Sequence, residues 1–452
     1  MSRGHAFPSG FIWGAATSAY QVEGYPLADG AGPSIWHRFA HTPGRVAGGA
    51  TGDLACGHYH RFREDVALMA ELGLSAYRFS IAWGRVLPDG RGRVNRKGLD
   101  FYLRLVDALL EHDIQPMVTL YHWDLPAALQ ERGGWLDPDS AVWFADYAQI
   151  LFRALDDRVQ AWVTINEPWV VAVLGHLEGV HAPGHRDARE AVRVMHHLLL
   201  AHAEACATYG ALGRHQIGIA LNLEPQHPAS DSEADRAAAD RRDAFINGWL
   251  LDPLFHGRYP EAMADIFGSA WPDFPSTEID RIRCPADFLG VNYYSRGWVR
   301  DDPAVQPTGA ARIERPNAPV TAMGWEVYPR GLTEILLRLK TQYGNPPVYI
   351  TENGAAFEDS APTAGRVEDP RRVAYLREHI GAAGAAIQAG ADLRGYFVWS
   401  LLDNFEWAEG YAKRFGLFRV DPSDQSRLPK ASAECYKDII ASHGAGLIPE
   451  PS

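Results

Sequence analysis

Thr164-Ile-Asn-Glu-Pro168 and Ile350-Thr-Glu-Asn-Gly354 each run from β-branched and apolar residues into a glutamate beside a turn-forming residue. A β-strand that stops at Pro or Gly projects its last side chains into whatever opens at its end. In a barrel of parallel strands that end is the face on which active sites are built. Glu167 and Glu352 are therefore the leading catalytic candidates.

Outward from these two stretches, apolar runs of strand length recur along the chain, at 11–17, 77–83, 116–123, 162–165, 217–223, 288–294, 348–351 and 396–401. Eight is the number a closed (β/α)8 barrel requires. Between them, segments such as 62–72 and 331–343 place apolar residues at i, i+3, i+4 and i+7, the period of helices packed on one sheet face. Alternating strand and helix predicts parallel strands, and so an α/β fold, a single-domain (β/α)8 TIM barrel over residues 1–452. A doubly wound open sheet would give the same alternation but usually carries a phosphate-cradling glycine fingerprint, and neither GxGxxG nor a Walker loop occurs. The aperiodic stretches 299–322 and 224–235 read as surface loops.

The 452 residues are 46% hydrophobic and 22% charged, enough to build a large core, and the net charge of −13 repels phosphate backbones and anionic lipid. Neither nucleic acid nor a membrane surface is expected as a partner. Cys56, Cys206, Cys284 and Cys435 form no CxxC pair and no disulfide framework, and residues 1–10 contain no apolar run of signal-peptide type. A cytoplasmic protein is expected.

Hydrolysing a glycosidic bond takes one carboxylic acid to protonate the departing oxygen and one carboxylate to meet the developing oxocarbenium ion. Two glutamates at separate strand ends provide both. Other strand ends hold Gln21, His122, Asn166, Asn292, Tyr294 and Glu406, which can bond sugar hydroxyls, while Trp399 and Trp407 offer flat apolar faces to a sugar's C–H surface. Most of the fourteen tryptophans are expected in the core.

Five motifs in order carry a family resemblance: Phe11-Ile-Trp-Gly-Ala-Ala-Thr-Ser-Ala-Tyr-Gln-Val-Glu-Gly24, Tyr121-His-Trp-Asp-Leu-Pro126, Thr164 to Pro168, Tyr349-Ile-Thr-Glu-Asn-Gly354, and Trp399-Ser-Leu-Leu-Asp-Asn-Phe-Glu-Trp407, which continues through Arg414-Phe-Gly-Leu417. The chain resembles glycoside hydrolase family 1, the β-glucosidase family. That resemblance implies a retaining mechanism with Glu167 as acid/base and Glu352 as nucleophile, needing no cofactor. It also implies sugar binding by Gln21, His122, Asn166, Glu406 and Trp407, a stacking platform at Trp399, and Asn292 with Tyr294 near the nucleophile. Arg78 corresponds to the arginine beside the nucleophile, and Trp325 to a platform on the leaving-group side. Terminal β-D-glucosyl residues of β-glucosides and short cello-oligosaccharides are the implied substrates, and a carboxylate at Glu406 argues against 6-phosphosugars.

Two departures stand out. His176 occupies a position near the leaving-group entrance where many relatives carry tyrosine, and Cys435 replaces a common aromatic in the last helix. His196, His197 and His202 share one helix without HExxH spacing or an accompanying carboxylate, so no metal site is expected; His58 and His60 are read the same way. The charge runs 231–243 and 369–372 read as solvated helix starts or faces. Broader β-glycosidase action on galactosides and fucosides, transglycosylation, and a catalytically inactive sugar-binding protein are the rival readings.

Overall fold

Eight strands of five to seven residues form the centre of the molecule: β1 Ile12–Ala16, β2 Ala76–Ser80, β3 Gln115–Tyr121, β4 Ala161–Asn166, β5 Gln216–Asn222, β6 Phe288–Asn292, β7 Val348–Asn353 and β8 Leu393–Trp399. The computed structural model describes residues 7–284 and 286–447. Every neighbouring pair is parallel and the order closes on itself, β8 pairing with β1, so the predicted α/β barrel is the observed one. Each of the eight predicted runs coincides with one of these strands.

Helices flank the barrel: α1 His58–Leu72, α2 Arg96–Leu110, α3 Ser140–Leu155, α4 Ala188–Leu212, α5 Glu233–Asp243, α6 Ser276–Ile282, α7 Arg330–Gln342, α8 Pro370–Gln388 and α9 Ala431–Ala441. α1 and α7 fall on the two segments with helical periodicity. Local chemistry sets several of the ends: Asp187 accepts from the Arg189 and Glu190 amides to start α4, and Gly73, at φ 75°, ends α1. None of the described helices is long and apolar enough to cross a membrane.

An apolar cluster takes residues from every strand, among them Ala16, Ala76, Met117, Val163, Ala220, Phe288, Tyr349 and Phe397. Small residues leave room for large ones, as the taper of a packed barrel demands. Gly14 faces Phe397, whose ring would lie 2.4 Å from a Cβ placed there.

Two sequence readings are corrected. The stretches 224–235 and 299–322 are not structureless: Gln226–Pro228 pairs with Gly297–Asp301, which pairs in turn with Ala310–Arg312, forming a three-stranded sheet. Strands this short gain their hydrogen bonds only from partners distant in sequence, so no local period announces them. In the run 369–372, Asp369 and Arg372 are buried rather than solvated, while Pro370 and Arg371 are exposed. Asp369 and Arg372 pair there, Arg372 also lies 3.3 Å from Asp359, and Lys430 Nζ sits 2.8 Å from Asp359 and 2.7 Å from Asp403. On α5, by contrast, Glu233, Arg236 and Asp240 are exposed, as the charge pattern suggests.

Candidate active site

The C-terminal strand ends open into a cavity of about 520 Å3 whose walls include Glu167 and Glu352. β4 leads into Glu167 and β7 carries Glu352, and both strands lose regular register just before them. The β4–β5 pairing shifts between Val163 and Asn166, and the β6–β7 pairing between Ile350 and Glu352. Such irregularities bend a strand and re-aim its side chains. Glu167 has φ 49°, and Trp123 and Trp407, which line the same cavity, have φ 76° and 47°. Each left-handed non-glycine residue costs on the order of 1–3 kcal/mol and is retained where the surroundings over-determine it.

Flanking residues explain the two motifs. Pro168, with its φ already set for a helix, opens the short helix Pro168–Ala172 directly after Glu167. Gly354 serves close approach: a Cβ there would lie 1.7 Å from the Trp399 carbonyl oxygen. Only glycine lets the end of β7 pass the end of β8.

The two carboxyl groups have unequal partners. Arg78 Nη1 donates to Glu352 Oε1 at 2.7 Å and Tyr294 Oη donates to Oε2 at 2.6 Å. Arg78 is itself held by Asn166 Oδ1, the Thr351 carbonyl and Thr119 Oγ1. Among the described residues, Glu167 Oε1 receives only the Asn292 amide, at 2.6 Å, whose orientation is set by Thr351 Oγ1 donating to Asn292 Oδ1. Burial raises both carboxyl pKa values. For Glu167 the charge of Glu352 adds to burial and pushes it up to about 8, whereas for Glu352 the Arg78 guanidinium and the Tyr294 hydroxyl oppose the rise. A proton shared by the pair therefore resides on Glu167.

The other predicted residues gather around this pair. Asn166 Nδ2 donates to His122 Nε2 at 3.1 Å, and burial followed by the Arg78 charge holds His122 well below its ordinary pKa. His122 is thus neutral with its proton on Nδ1, which has no hydrogen-bond partner among the described residues. Its ring lies nearly parallel to those of Trp399 and Trp407, with centroids 5.9 Å away in both cases. Gln21 Nε2 donates to the Phe405 carbonyl at 2.8 Å and to Glu406 Oε2 at 3.4 Å; burial first, then Glu352, pushes Glu406 up to about 8. Gln21 and Asn166 are fully buried beside the lining residues. Trp325 lines the cavity against Tyr294, with ring centroids 5.3 Å apart.

His176 is buried, its Nδ1 2.9 Å from the Val171 carbonyl, and its neighbours Leu174, Val180 and His181 line the cavity. Sequence reasoning also passed over Trp123, Trp169, Asn222, Glu224, Arg242 and Arg312, all of which line the cavity. The strand-end rule that found Glu167 applies equally to Asn222, which closes β5, and to Glu224 just beyond it. Arg242 and Arg312 had no such signal, because they lie on a charge run and in a stretch read as loop.

Paired glutamates at the rim of a (β/α)8 barrel, one protonated and one matched to a cation, define a glycoside hydrolase. Comparison with known proteins agrees. The model of glycosyl hydrolase family 1 matches residues 3–445. Beta-glucosidase A of Thermotoga maritima is 52% identical over 440 residues, covering 97% of this chain and 98% of that protein. The β-glucosidase of an Agrobacterium strain is 43% identical over 448 residues, 97% of this chain and 96% of its own. The solved Thermotoga maritima family 1 β-glucosidase superposes with a TM-score of 0.95 at 51% identity, covering 98% of this chain and 99% of that one. Its complex with glucoimidazole gives 0.94 at 52% identity over 97% and 99%. The chain belongs to glycosyl hydrolase family 1.

Proposed function

We propose that this enzyme is a retaining β-glucosidase that removes terminal non-reducing β-D-glucosyl residues from β-glucosides and short cello-oligosaccharides through a covalent glycosyl-enzyme. The observation that carries the assignment is the inequality of the two carboxyl groups: Glu352 accepts from Arg78 and Tyr294, while Glu167 accepts from a neutral amide. Glu352, ionised, attacks the anomeric carbon as Glu167 protonates the departing oxygen. Esterification removes the charge of Glu352, so the Glu167 pKa falls; Glu167 then takes a proton from water as that water attacks the anomeric carbon and frees Glu352.

The glucosyl ring is held by Gln21, His122, Asn166, Glu406 and Trp407, lies on Trp399, and has its leaving group against Trp325. The His122 Nδ1–H supports this, being a buried donor with no hydrogen-bond partner among the described residues. A carboxyl at Glu406, backed by the Gln21 amide, presents no positive charge to a phosphorylated sugar. Relatives named 1,4-beta-D-glucan glucohydrolase and a neighbour bound to glucoimidazole support the choice of a glucosyl substrate.

We read residues 1–452 as one catalytic domain acting in the cytoplasm without a cofactor, a nucleic-acid partner or a membrane partner. Four free thiols and a net charge of −13 support that reading. The test is incubation with a slowly turned-over 2-fluoro-β-glucoside followed by peptide mass spectrometry. One glycosyl group on Glu352, absent from Glu352→Gln, is the expected result; labelling elsewhere, or none, overturns it. Parallel assays with β-galactoside, β-fucoside and 6-phospho-β-glucoside rank the sugars, and added alcohol measures transglycosylation.

A further inference from the structure

We propose that His202, Cys206 and Cys284 form a binding site for a thiophilic divalent metal ion of the Zn2+ type, on the outer side of the barrel wall and separate from the sugar cavity. His202 and Cys206 lie one turn apart on α4 and so share a face, and Cys284 reaches them from the segment between α6 and β6. The sequence reading sought carboxylates beside the histidines of this helix and passed over the two thiols.

Three observations point to a metal. First, the ligand atoms of the three residues all lie within 4.8 Å of one another. Second, His202 Nε2 is 3.5 Å from Cys284 Sγ and 3.8 Å from Cys206 Sγ. With Zn–S about 2.3 Å and Zn–N about 2.0–2.1 Å, the sulfur-to-nitrogen edge of a tetrahedron is about 3.5 Å. Third, the imidazole is already oriented. Thr164 Oγ1 donates to the Gly218 carbonyl at 3.2 Å and so accepts from His202 Nδ1, 2.8 Å away. That contact places the proton on Nδ1, as the outer partner of a metal-bound histidine does, and leaves Nε2 unprotonated beside Cys284, while Cys206 Sγ lies alongside the ring, 3.7 Å from Nδ1 and 3.8 Å from Nε2.

His202 and Cys206 are buried and Cys284 is partly exposed, which provides an entry path. Binding displaces the two thiol protons to solvent, and a fourth ligand from solution completes the tetrahedron. The bound ion ties α4 to the approach of β6 beside the strand that leads into Glu167.

The test is titration of the reduced, chelator-treated protein with Co2+ under anaerobic conditions. Expected is one equivalent bound with a thiolate-to-cobalt charge-transfer band and the visible spectrum of a four-coordinate ion, displaced by Zn2+. A second, exposed group, His37, His41 and Asp53, carries no sulfur, so this band discriminates between them. The band disappears in Cys206→Ser and Cys284→Ser, each verified as folded by aryl glucoside hydrolysis, and Thr164→Val weakens binding about 10- to 100-fold. In the unmutated protein, Zn2+ slows alkylation of Cys284 at least about tenfold, the same order of protection. Absence of the band, its persistence in both serine variants, or alkylation indifferent to Zn2+ overturns the site.

Discussion

Tyr294 Oη donates to Glu352 Oε2 at 2.6 Å from the end of the strand whose Asn292, two residues earlier, donates to Glu167. One strand end thus gives each carboxyl group a different donor. The phenol stabilises an anion at Glu352, and the amide positions Glu167 without supplying a charge.

Tyr294→Phe removes the phenol donor and keeps the ring against Trp325. A hydrogen bond to a charged group contributes about 1.5–3 kcal/mol, so kcat/KM for an aryl β-glucoside falls about 10- to 100-fold. The acidic limb of its pH profile moves upward, because ionised Glu352 has lost a donor. A drop in rate with an unmoved acidic limb counts against this role.

The pH dependence of kcat/KM is bell-shaped. In the proposed mechanism the active form has Glu352 ionised and Glu167 protonated, so activity falls at low pH as Glu352 takes up a proton and at high pH as Glu167 loses one. Burial raises both, and Glu167 to about 8, which places the optimum above the ordinary carboxylate range. In Glu167→Gln the alkaline limb is lost.

Glu167→Ala separates substrates by leaving group. Cellobiose, whose departing alcohol needs a proton, loses about 100- to 10,000-fold in kcat/KM, the ordinary share of general acid catalysis. An activated aryl glucoside loses far less in the first step. Equal losses on the two substrates would rule out the acid/base assignment.

Glu406 links the site to stability. Burial, then the charge of Glu352, pushes its folded pKa from the ordinary 4.5 up to about 8, so between these values the folded state holds a proton that the unfolded chain has released. That contribution is fully present below pH 4.5 and is lost as the pH rises through the folded value. Glu406→Gln therefore lessens the decline of stability across this window, by up to about 1.4 kcal/mol per pH unit. Urea unfolding at several pH values measures the slope, and an unchanged slope refutes the shift.

Lys430→Met leaves Asp359 and Asp403 without their shared cation. Breaking a buried ion cluster by removing one partner costs about 3–5 kcal/mol. Because Asp403 also accepts the Gly416 amide at 2.9 Å, the loop carrying Glu406 and Trp407 loosens as well. The expected result is a lower Tm with KM rising more than kcat falls; a wild-type Tm would show that the cluster is not stabilising.

The barrel was legible because each strand is a short apolar run bounded by turn chemistry, and because a helical period fills the intervals. The glutamates were legible because both follow or close such a run. Less visible were features whose partners are remote. The small sheet around Gly297–Asp301 draws each strand's hydrogen bonds from elsewhere, and Asp369 and Arg372 look solvated until Lys430, Asp359 and Asp403 are brought beside them. His176 was read from its place in a motif, but the backbone turns its ring toward the Val171 carbonyl.

By itself the sequence determined the parallel eight-stranded class, the two candidate carboxyl groups and the residue types around them, because period, turn chemistry and strand-end placement are local properties. Only the tertiary structure decided which hydrogen-bond partners each carboxyl group has, where the strand irregularities aim Glu167 and Glu352, and that two thiols from separate segments meet one imidazole. Those outcomes depend on distance and burial between residues remote in the chain, which no local pattern records.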